Sequence, residues 1–178
     1  MKKWNMDVVF EHQSNYILRF VDEKFAPSSK ENPMFTLGLE IVSPESMEVA
    51  GEEYNIAGIP IKYYQNVQTL VDGQVDIEKT ADNKKRLLAL YKACEIPVDE
   101  DNFNPENPPM GFKGKVVYAE LDNDQKAKRK SPTKEQLAKG IKEGDVLKHP
   151  ITEKELKTNY PKIVQIFALA PTDSSKPY

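Results

Sequence analysis

The chain has one cysteine and two histidines in 178 residues. A disulfide framework is therefore excluded, and a structural zinc site, which needs about four Cys or His ligands at short spacings, has no basis. Cys94 falls on the apolar side of an expected helix and reads as core, while His12 and His149 stand alone in polar contexts. No base lies near Cys94 in sequence to make it a nucleophile. Phosphate-loop motifs are also missing. Gly111-Phe112-Lys113-Gly114 has two glycines but neither the length nor the following helix of a nucleotide cradle, and reads as a turn into a strand. No apolar run approaches the length that crosses a bilayer. The start, MKKWNMDVVF, is interrupted by Asn5 and Asp7 and does not read as a signal peptide. A reducing cytoplasm is the expected location, with no membrane, metal or cofactor.

Glycine is scarce, eight residues against thirteen prolines, which favours stiff, ordered connections. Apolar residues make up 39% and charged residues 30%, a balance that lets residues 1–178 bury a core as a single domain. Tyr16–Val21 is a strand signal. In MFTLGLEIV, Phe35, Leu37, Leu39 and Ile41 alternate onto one face, and Gly38 on the other suggests a bulge or tight coiling. YNIAGIPIKYYQNV reads as a further strand, broken or bent at Gly58 and Pro60. Thr80 to Glu95 reads as the main helix, capped by Thr80 or Asp82, with Leu87, Leu88, Leu90, Tyr91 and Cys94 on one face and Pro97 at its end.

After that helix comes PVDEDNFNPENPPMG, too polar and broken for regular structure. Its carboxylates, Asp99, Glu100, Asp101 and Glu106, share one connector, whereas a metal-dependent nuclease needs carboxylates converging from several rigid elements. The strand FKGKVVYAEL follows, then a basic loop over about 123–142, read as flexible. Next are a short helix in PTKEQLAKGIK and a capping-box pattern from Thr152 to Glu155. KIVQIFALA is the last strand, and 171–178 a short, frayed tail. The order β, β, β, α, β, β predicts a mainly β (α+β) protein. Its expected form is a five-stranded OB-fold-like barrel with one main helix between strands three and four, and long loops.

Charge is the most specific signal. From Lys126 to Lys142 seven cations (Lys126, Lys128, Arg129, Lys130, Lys134, Lys139 and Lys142) face one acid, Glu135. This window is +6 in a chain of net −3, so the remainder carries −9. Such concentration suits an anionic partner, with the acidic remainder orienting it. Aromatics stand beside cations at Lys62-Tyr63-Tyr64 and at Lys113, Lys115 and Tyr118. Bases stack on aromatic faces while lysines neutralise phosphates, as single-stranded nucleic acid requires. Strand alternation places Lys113 and Lys115 opposite Tyr118, and Tyr63 opposite Tyr64. One tyrosine of that pair is therefore expected in the core.

Taken together, MFTLGLEIVSPE, NIAGIPIKYYQ, the helix NKKRLLALYKACEIP and GFKGKVVYAEL with its basic loop resemble the barrel-type single-stranded DNA-binding proteins of tailed bacteriophages, over roughly residues 16–167. The resemblance implies sequence-independent coating of single-stranded DNA in replication, recombination or repair, without enzymatic activity, in the host cytoplasm. It carries over Lys62, Tyr63, Tyr64, Lys113, Lys115, Tyr118 and the cluster Lys126, Lys128, Arg129 and Lys130 as binding residues. Replication and recombination proteins are implied as further partners. The near-neutral end TDSSKPY departs from the acidic tail through which many such proteins recruit them. Two other classes stay open: a phage protein-interaction or host-takeover module, and a metal-dependent DNA-processing enzyme. The sequence leaves oligomeric state and DNA-versus-RNA preference open.

Overall fold

A computed structural model of the chain describes residues 1–129, 132–140 and 142–169. Four long strands and one of middle length build the central sheet: β2 (Gln13–Pro27), β3 (Pro33–Ser43), β6 (Pro60–Asn66), β9 (Val116–Ala127) and β10 (Lys157–Ala168). Short strands β1 (Lys2–Lys3), β4 (Ser46–Val49) and β5 (Glu52–Asn55) form a second sheet, and β7 (Leu70–Val71) pairs with β8 (Gln74–Val75). The helices are α1 (Ile77–Ala93) and α2 (Lys134–Ala138). No helix among the described residues is long and apolar enough to cross a membrane.

The central sheet is antiparallel, in the order β10-β9-β2-β3-β6. Alternation puts Tyr16, Leu18 and Phe20 of β2, and Phe35, Leu37, Leu39 and Ile41 of β3, on one buried face. Val117, Ala119 and Leu121 of β9 join them. Two bulges coil the β2–β3 pair. Val42 is the extra residue between the Ile17–Ser43 and Leu18–Ile41 pairs, and Val21 the extra one between Phe20–Leu39 and Asp22–Gly38. The bulge expected at Gly38 thus lies on the facing strand. A Cβ at Gly38 would stand 3.3 Å from the Asp22 Cβ, so glycine makes room for the displaced strand.

The barrel expectation is met only as far as this five-stranded sheet. Its edges, β6 and β10, approach each other and α1 lies against both, but no ladder joins them among the described residues. Helix α1 starts a turn before its expected beginning because Asp76 accepts the Lys79 N–H at 3.0 Å. Thr80 is occupied elsewhere: its Oγ1 accepts the Thr69 N–H at 3.1 Å. At the other end Glu95 takes a left-handed φ of 56°, and the Ile96 N–H returns to the Tyr91 carbonyl. The buried face of α1, with Leu87, Leu90, Tyr91 and Cys94, closes over the sheet.

An aromatic cluster holds helix, sheet and connector together. Phe112 stacks on Tyr91 at 5.3 Å between ring centroids and meets Phe35 at 5.3 Å and Phe20 at 5.7 Å. The Tyr91 hydroxyl donates to the Pro109 carbonyl at 2.6 Å, tying the proline-rich connector to the helix. Glu23 fixes the next residues, its carboxylate accepting the N–H groups of Gly111 and Phe112.

Three segments differ from their sequence expectation. The fourth strand begins at Val116 rather than Phe112, because Gly114 takes φ 89° and donates to the Phe20 carbonyl, turning the chain into the sheet. The same strand continues to Ala127, through residues read as loop, since β10 pairs with it as far as Lys157. Thr152–Glu155 does not cap a helix; Glu155 instead bridges Lys148. A capping box does occur at Thr133 and Gln136, opening the expected short helix α2. The tail 171–178 lies outside the described residues.

Candidate nucleic-acid interface

On β6, burial separates the two neighbouring tyrosines. Tyr63 points inward against the core, where desolvation raises its pKa while nearby Arg86 opposes the shift. Its hydroxyl donates to Gln65 Oε1 at 3.3 Å. Tyr64 points outward, 56% exposed. Exposed Lys62 shares that outer face. Register places Tyr64 beside Thr36 and Lys24, and Lys62 beside Gly38 and Asp22. Tyr63 is therefore the core member of the pair, and Lys62 and Tyr64 the surface members.

Lys113 and Lys115 precede β9, so strand alternation does not govern them. Lys113 is exposed, whereas Lys115 is half-buried and lines a cleft of about 310 Å³ with Cys94 and Glu95. Tyr118 lies on the outer face of β9, paired with Ile17 on one side and Phe167 on the other. These three residues, with Ser14, Asn15 and Ser43, line a shallow cleft of about 470 Å³.

The basic cluster lies at the far end of β9, about 35 Å of strand from Lys115 at the usual rise per residue. The Lys126 ammonium stands 5.1 Å from the centre of the Tyr160 ring. Tyr160 in turn donates to Asp124 at 2.7 Å. That hydrogen bond holds the Asp124 carboxyl below its usual range, with Lys162 and Lys126 adding to the effect. Lys128 pairs with Asp7 at 2.7 Å, and Arg129 donates from Nη1 to the Gly144 carbonyl at 2.7 Å. Backbone bonds link Lys128, Leu147 and Leu156 side by side, so the cations emerge from a folded-back extension of the β9–β10 hairpin. Lys130 lies outside the described residues.

The structure thus brings Lys62 and Tyr64 together on one edge, and Lys126, Lys128 and Arg129 on an opposite arm. Between Tyr118 and Lys126 alternation places Glu120, Asp122 and Asp124 on the same outer face, an acidic stripe. Glu120 also accepts from His12 at 2.8 Å, which raises the His12 pKa. That stripe would repel a polyanion, so Tyr118 and the basic arm do not form one continuous cationic surface. The stripe is legible in YAELDNDQK once the strand is known to continue past Leu121.

Sequence reasoning did not single out Arg86. It lines a cleft of about 610 Å³ between β6, β10 and α1, with Tyr63, Tyr64, Gln65, Asn66 and Asn83 among its walls. Its signal was the run Lys84-Lys85-Arg86 beside the apolar face of the helix. Among the described residues no group of three His, Cys, Asp or Glu side chains is placed to hold a metal ion. The arrangement offers cations, exposed aromatic rings and amides, which suit binding. No protein-family model matches the chain, and no curated protein matches it significantly.

Proposed function

We propose that the protein binds single-stranded DNA without sequence preference, through a partly open barrel of the oligonucleotide-binding type. Such proteins serve replication, recombination or repair, and the reading extends to a phage protein acting in the host cytoplasm beside partners of those pathways. The observation that carries it is topological. With β2, β3, β6, β9 and β10 taken as strands one to five, the basic cluster falls at the end of strand four and on its connection to strand five. Oligonucleotides contact barrels of this type across strands two and three and at the loops joining strands one to two and four to five. Here those strands are β3 and β6, of which β6 carries both Lys62 and Tyr64, and the four-to-five loop starts beyond Ala127. Affinity comes from phosphate neutralisation and stacking, with no cofactor and no bond made or broken.

The test is a fluorescence-anisotropy titration of labelled single- and double-stranded oligonucleotides at low and high salt, with and without magnesium. Salt-sensitive binding that prefers the single strand is expected. Absence of binding at low salt would remove nucleic acid from the account, and magnesium-dependent degradation would replace binding with an enzymatic role. A protein-interaction module is the second reading, favoured by the acidic outer stripe Glu120, Asp122 and Asp124, which suits a basic protein surface better than DNA.

A further inference from the structure

The cleft between β6, β10 and α1 differs in chemistry from the rest of this acidic molecule. Arg86 is the one charged residue in its lining, and no carboxylate is present. Arg86 makes no ion pair among the described residues. Beside it Tyr64 presents an exposed ring, while Ile163, Val164 and Ile166 of β10 form an apolar wall. The opposite wall is held rigidly. Buried Gln65 donates to the carbonyls of Asn66 at 2.9 Å and Asn83 at 3.4 Å, and Asn83 Nδ2 donates to Thr69 Oγ1 at 2.6 Å. At about 610 Å³ the cleft falls within the size range of small-ligand sites, roughly 300–1,000 Å³.

A ring to stack on, an apolar wall, polar amides and one unpaired guanidinium are together the complement of a base with its phosphate. We propose that this cleft holds one nucleotide unit of the bound single strand, its base against Tyr64 and Val164 and its phosphate on Arg86. The assignment rests on the single-strand reading above and adds to it a station at the gap between the two sheet edges. Among the described residues no ladder joins β6 to β10, and such a ladder would fill the space the base needs. Lys62, on the same outer face as Tyr64, continues the positive path away from the cleft toward the body of the sheet.

The experiment compares binding of a labelled oligothymidylate to the wild type and to Arg86→Ala, Tyr64→Ala and Tyr64→Phe. A photoreactive 5-iodouracil in the same strand maps the contact by mass spectrometry. Arg86 and Tyr64 are both exposed, so the variants keep the core, which circular dichroism verifies. Loss of about tenfold in affinity is expected for each alanine variant. Tyr64→Phe should bind like the wild type, and the crosslink should fall on Tyr64. Unchanged affinity in both alanine variants, alongside a wild type that binds, would overturn the cleft assignment and leave the single-strand reading standing. A tenfold loss in Tyr64→Phe would overturn stacking. A wild type that does not bind the strand at all would remove both.

Discussion

Replacing Lys126, Lys128 and Arg129 together by alanine should flatten the salt dependence of single-strand binding. Each phosphate contact lowers the logarithm of affinity by about 0.7 per decade of salt, so three contacts contribute a slope of about 2. Over a fourfold rise, from about 50 to about 200 mM, the wild type should lose about 20-fold more affinity than the variant. The structure sharpens this figure, because the three cations are not equally available. Lys128 already faces Asp7 at 2.7 Å, and its side chain is 33% exposed. Asp7→Asn should therefore act in the opposite direction, releasing one cation, tightening binding and steepening the salt slope by about 0.7. Exposed ion pairs contribute only about 0–1 kcal/mol to folding, so neither change should unfold the protein. The assay is anisotropy of a labelled oligothymidylate across a salt series, with circular dichroism as the folding control. An unchanged slope in the triple variant would refute the reasoning, since the hairpin arm would then be only a connection between strands.

Other predictions concern the scaffold. Phe112→Ala removes a fully buried ring that touches three other aromatics, and should cost about 3–5 kcal/mol in urea denaturation; a loss below about 1 kcal/mol would show that the cluster does not organise the core. His12, hydrogen-bonded to Glu120, has its pKa raised in the folded state. Its contribution to stability is thus fully present below the unfolded value of about 6.5 and is lost as pH rises through the folded value. An NMR titration should place His12 above about 6.5, and Glu120→Gln should bring it back. Burial pushes the Cys94 thiol up to about 12, so the native protein should resist a thiol reagent at neutral pH and react once unfolded. Rapid native labelling would place Cys94 outside the core.

Local signals succeeded where the physics is local. The alternation of Phe35, Leu37, Leu39 and Ile41 marks a strand because a two-residue period turns every second side chain to the core. The break at Gly58 and Pro60 also lies where the structure ends one strand and begins the next, with Gly58 at φ 82°. Missed elements were those whose stability comes from partners. Ser46–Val49 reads as a turn by composition, yet it pairs with Glu52–Asn55, which in turn receives Lys2 and Lys3. The hairpin arm of β9 was hidden for a similar reason: NDQKA has little strand propensity, and only pairing with β10 keeps it extended.

By itself, the sequence determined the strand-rich composition, the apolar face of α1 and the concentration of positive charge after Leu121. These depend on side-chain period and on residue type, both readable along the chain. Tertiary structure alone decided which candidates could act together. It turned Tyr63 into the core and Tyr64 out, set an acidic stripe between Tyr118 and Lys126, and brought Arg86 from a helix to the edge strands at Tyr64 and Val164. Residues from three elements far apart in sequence meet there because the sheet coils and α1 packs across its two edges. No local pattern encodes that juxtaposition.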